Sequence, residues 1–69
     1  MIREDIAQLA RKVYGPGHED GVGDPITIYR YDGRYHLDMN EYRLISVSAE
    51  NQERGEAAIL AALEALARV

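Results

Sequence analysis

Cysteine is absent from the chain, as are tryptophan and phenylalanine. Without cysteine there is no disulfide and no thiolate zinc site, which fits a reducing, cytoplasmic setting. No apolar run is long enough for a membrane span, and the opening MIREDIAQL lacks a signal-peptide core. The expectation is a soluble, cytoplasmic protein. Serine occurs only at Ser46 and Ser48, and histidine only at His18 and His36. A chain of 69 residues buries about 60% of its unfolded surface and has little room for a pocket or an oxyanion hole. The sequence therefore predicts a non-enzymatic protein with no cofactor and no metal.

Positive charge is also scarce. The formal net charge is −4, which argues against nonspecific binding to nucleic acid. The charge is unevenly spread. Glu19, Asp20 and Asp24 load the segment 15–25, whereas the acids and bases of 26–48 balance.

Ile2, Ile6, Leu9 and Val13 recur at helical spacing, with Ala10 beside them, so an amphipathic helix is expected over 2–14. Gly15 and Pro16 end it. The run GPGHEDGVGDP, 15–25, holds four glycines and two prolines and reads as a loop, long for so small a domain. Asp32-Gly33 is a strong signal for a two-residue hairpin, and Asn40-Glu41 is a weaker second turn. Together they predict a three-stranded antiparallel meander over 26–48. In that register Ile28 faces Leu37 and Leu37 faces Leu44. One face then carries Ile26, Ile28, Leu37, Met39 and Leu44, with Tyr35 and Tyr42 at its margins as core residues. The other carries Thr27, Tyr29, Tyr31, Arg34, His36, Asp38, Arg43, Ile45 and Val47. Ser48 is the expected cap of a last helix over 50–68, rich in alanine and leucine and weakened by Gly55. Its apolar arc around Ile59, Leu63 and Leu66 is wider than one sheet contact needs, so either the first helix or a second copy covers the excess. The expected fold is α+β in two layers, as a single domain: N-terminal helix, meander, C-terminal helix, with both helices on the Ile28/Leu37/Leu44 face.

Two partner-binding features emerge. The first is the sheet face without a cover, where Tyr29, Tyr31, Arg34, His36 and Arg43 are residue types that anchor binding surfaces; the plainer alternative is a solvated face with an Asp38–Arg43 cross-strand ion pair. The second is the acidic segment with Glu19, Asp20 and Asp24, which lacks calcium-loop spacing. It reads either as a mobile loop or as a docking element for a basic partner. A His36/Asp38/Tyr29 cluster has the residue types for acid–base work, but nothing around it builds a pocket.

The succession IREDIAQLARK, then YDGRYHLDMNEYRLISVSAEN, resembles small acidic phage anti-CRISPR proteins. These carry an N-terminal helix, a three-stranded sheet and a C-terminal helix. The resemblance implies a stoichiometric inhibitor that occupies a nucleic-acid site with carboxylates in place of phosphates, and it would put Glu19, Asp20, Asp24, Glu41, Glu50 and Glu53 to that use. Residues 26–67, DGRYHLDMNEYRLISVSAENQERGEAAILAALEAL in particular, also resemble the AP2-like, arm-type DNA-binding modules of phage integrases. That resemblance implies a sheet face entering the major groove through Tyr29, Tyr31, Arg34, His36 and Arg43. Net acidity favours the first implication, a phage-type inhibitor that sequesters a nucleic-acid-handling protein complex, over direct DNA binding. An oligomerisation module, in which the last helix pairs with itself as a homodimer, is the third alternative.

Overall fold

The computed structural model of the chain describes residues 2–15, 26–39 and 42–69. It is α+β, with helix α1 (Ile2–Tyr14), strands β1 (Ile26–Tyr31), β2 (Arg34–Met39) and β3 (Tyr42–Ser48), and helix α2 (Gln52–Ala67). The sheet is antiparallel in the order β1-β2-β3. The first hairpin follows from its turn residues. Asp32 and Gly33 both take positive φ, 55° and 75°, as a type I′ turn requires, and Ile28 faces Leu37.

The second hairpin departs from the expected register. Asp38 still faces Arg43, but Leu37 faces Ile45, so Leu44 is an extra residue on β3. Such a bulge reverses the faces beyond it. Ile45 and Val47, expected on the open face, instead pack against the core, and Ser46 stands opposite His36. The reason is hydrophobic: the shift moves two β-branched side chains out of water and turns two serines into it. Tyr42, expected at the core margin, is 73% exposed. It pairs with Met39 at the very start of β3, where no helix reaches it among the described residues.

Both helices lie on one side of the sheet. Ile6 and Ala10 of α1, Ile59 and Leu63 of α2, and Ile26, Tyr35, Leu37 and Met39 of the sheet form the core. α1 packs along α2 and so takes the flank of the wide apolar arc, leaving Leu66 and Val69 exposed at its end. Asn51, not Ser48, caps α2, accepting the Arg54 N–H at 2.9 Å; Ser48 closes β3 instead. Gly55 sits where α2 crosses Tyr35. A Cβ there would lie 2.5 Å from the Tyr35 Cγ, so the helix approaches this closely only without a side chain. Among the described residues no helix is long and apolar enough to cross a membrane.

Candidate binding face

The alternation of β1 and β2 and the bulge in β3 together turn Tyr29, Tyr31, Arg34, His36, Asp38, Arg43, Ser46 and Ser48 to the side of the sheet away from the helices. The face is a connected polar surface. Tyr29 donates its hydroxyl to Asp38 Oδ2 at 2.9 Å and accepts from Arg43 Nη2 at 3.1 Å. Asp38 and Arg43 are register partners, as expected, but they meet through this hydroxyl and not as a direct ion pair. The hydrogen bond to Tyr29 is the first cause holding the Arg43 guanidinium above its ordinary pKa, with the charges of Tyr29 and then Asp38 adding to it. At the other end Arg34 donates to the Ser48 hydroxyl at 2.9 Å and, at a longer 3.4 Å, to the Ser46 carbonyl.

His36 lies at the centre and is only 3% exposed. The Tyr29 ring covers it, with centroids 5.2 Å apart and planes tilted by 38°. Its Nε2 lies 3.2 Å from the Tyr31 carbonyl and its Nδ1 2.6 Å from the Ser46 hydroxyl. A carbonyl only accepts, so Nε2 carries the hydrogen, and in the neutral ring Nδ1 accepts from Ser46. Both nitrogens are thus engaged within the chain. The arrangement fixes the ring as a structural centre of the face. Asp38 Oδ1 is buried without a hydrogen-bond partner. It is the one incomplete acceptor among the described buried side chains, and an added donor at this edge of the face would complete it.

The exposed part of the face is therefore Tyr31, which is 65% exposed, with the guanidinium groups of Arg34 and Arg43. Of the five N–H donors on each guanidinium, two are engaged on Arg34 and one on Arg43 among the described residues. Their orientation is set in advance by Ser48 and Tyr29, which lowers the ordering cost of a contact. Replacing Tyr29 by Phe removes the bridging hydroxyl and is expected to cost about 1–2 kcal/mol in urea denaturation. Tyr31→Phe, which loses no described hydrogen bond, should change stability by less than about 0.5 kcal/mol.

Of the residues expected at a contact, the structure brings Tyr29, Tyr31, Arg34, His36 and Arg43 onto one face, with His36 beneath it. Glu19, Asp20 and Asp24 lie outside the described residues, as does Glu41. Glu50, just before the cap of α2, and Glu53, in its first turn, are exposed. Ser46 and Ser48 were not expected on the face; the alternation Ile45-Ser46-Val47-Ser48 was the signal that could have found them. Among the described residues no cluster of three or more His, Asp or Glu side chains could hold a metal ion. Compared with known proteins, the chain matches no family model, no curated protein and no solved structure.

Proposed function

We propose that the chain is a non-enzymatic binding protein that occupies a protein partner through the open face of its sheet. One observation carries this reading. Tyr29, Asp38, Arg43, His36 and Ser46 are locked together by hydrogen bonds and stacking, and they present Tyr31, Arg34 and Arg43 on a surface that no described element covers. Aromatic and arginine side chains held in place in this way are the usual anchors of protein interfaces. Two mobile arginines on a merely solvated face would not need such support. That the partner handles nucleic acid, and that binding inhibits it, rests on the resemblance in layout to anti-CRISPR proteins. Affinity capture with the tagged chain from nuclease-treated lysate is the test. Recovery of a nuclease or another nucleic-acid-binding complex supports the full reading, and recovery of neither removes the inhibitor role.

Direct DNA binding is the second reading, favoured by the spare guanidinium donors of Arg34 and Arg43. It predicts a mobility shift of duplex or single-stranded DNA at low salt that weakens steeply as salt rises and is lost in Arg34→Ala/Arg43→Ala. The net charge of −4 opposes it, and the expected result is no shift.

A further inference from the structure

On the helix side of the sheet, α1, the end of β1 and the start of α2 enclose a second polar feature. A cavity of about 280 Å³ is lined by Arg3, Ile28, Tyr29, Arg30, Tyr35 and Gln52. Arg3 directs its Nε to Glu56 at 2.6 Å. The Glu56 side chain is 8% exposed, so this bond anchors the guanidinium on a nearly buried carboxylate. The Arg30 guanidinium stands over the Tyr35 ring, 5.9 Å from its centroid. It has no hydrogen-bond partner among the described residues. α2 runs for 16 residues from Gln52, so the positive end of its dipole lies at this wall. Glu50 and Glu53 are near in the chain but do not line the cavity.

We propose that this cavity binds a small oxyanion, a phosphate or carboxylate group, between the guanidinium groups of Arg3 and Arg30, with Gln52 as a further donor. Residues of four elements, α1, β1, β2 and α2, converge on it, and two of its six lining residues carry a permanent positive charge whose forked donors suit either anion. The Glu56 carboxylate is already engaged with Arg3 Nε and holds that group in position. Ile28 and the Tyr35 ring form an apolar wall against which the carbon part of a ligand would rest. The site lies across the sheet from Tyr31, Arg34 and Arg43 and shares only Tyr29 with the proposed partner face.

The test is a nitrogen-edited NMR titration of the full chain at constant ionic strength, following the arginine side-chain N–H signals and the Gln52 amide. Inorganic phosphate is the ligand in one arm and succinate in the other. The expected result is saturable shifts at Arg3, Arg30 and Gln52, with Arg34 and Arg43 unmoved. Saturation by phosphate alone, by succinate alone or by both supports the site and identifies which oxyanion it takes. Arg30→Gln alters an exposed side chain and should leave the backbone spectrum intact while weakening binding roughly ten-fold. Linear shifts shared by all arginines, or an Arg30→Gln variant that binds as tightly as the wild type, would overturn the proposal.

Discussion

Gly55→Ala is expected to destabilise the protein, although alanine is the better helix former. In an open helix the change gains about 1 kcal/mol. Here the new Cβ would lie 2.5 Å from Cγ, 2.6 Å from Cδ2 and 3.0 Å from Cδ1 of Tyr35. These atoms are the root of the ring and not its tip, so turning the ring about its Cβ–Cγ bond cannot clear the contact with Cγ. Either α2 lifts from the sheet or Tyr35, itself 6% exposed, leaves its place. Overpacking of this kind costs about 1–3 kcal/mol and occasionally more. A 2.5 Å contact with the base of a buried ring belongs at the upper end of that range, so the net loss should be about 2 kcal/mol, a fall in melting temperature of roughly 8–16 °C for a domain of this size. Thermal melts by circular dichroism measure it. The same substitution made in a Tyr35→Ala background should be neutral or stabilising, because only the helix propensity remains. A higher melting temperature for Gly55→Ala alone would mean that α2 does not sit on the Tyr35 ring.

Arg3→Ala should be the most damaging change on the surface of α1. Arg3 is about half exposed, but its partner Glu56 is 8% exposed, so removing the guanidinium leaves a nearly buried carboxylate without its counter-charge. Fully buried pairs lose about 3–5 kcal/mol in this way; with solvent reaching the arginine, about 2 kcal/mol is expected. Glu56→Gln keeps the shape and removes the charge, so it should cost less. Arg3→Met/Glu56→Leu removes both charges and should recover most of the loss. Urea midpoints at constant m-value rank the three variants. Equal stability of Arg3→Ala and the wild type would show that Glu56 finds water or another donor.

Much of the architecture was legible because local signals agreed with one another. Asp32-Gly33 fixed one hairpin, the stripe of Ile2, Ile6, Leu9 and Val13 with Ala10 beside it gave α1, and Ile28 facing Leu37 followed from the turn. The register of β3 was not legible from its turn, because Asn40-Glu41 specifies no particular loop. The strand itself held contrary information. Ile45 and Val47 alternate with Ser46 and Ser48, whereas the turn placed Leu44 inward. Both patterns are apolar on one side, and only an extra residue reconciles them, which a bulge supplies. Tyr29, Tyr31 and Arg34 of the open face were found by alternation along β1 and β2, where no bulge intervenes, and Arg43 precedes the bulge of β3. His36 was placed on the right face, but its burial depends on Tyr29 stacking over it, a tertiary contact. Glu56 was missed although it falls on the same helical stripe as Ile59 and Leu63; an acid on a buried stripe is a reason to look for a cation, and Arg3 is it. Arg30 was missed as well, although it continues the Ile26–Ile28 alternation that puts it on the helix side.

The capture experiment becomes decisive when run with three forms of the chain in parallel: wild type, Tyr31→Ala/Arg34→Ala/Arg43→Ala, and Lys12→Ala/Glu64→Ala as a control on the groove between the helices. The sheet-face account predicts a protein retained by the wild type and by the helix control but lost, at least roughly ten-fold, by the sheet-face variant, with all three folded by circular dichroism. Equal retention by the sheet-face variant, or loss by the helix control alone, would contradict it and move the contact to the other side of the molecule.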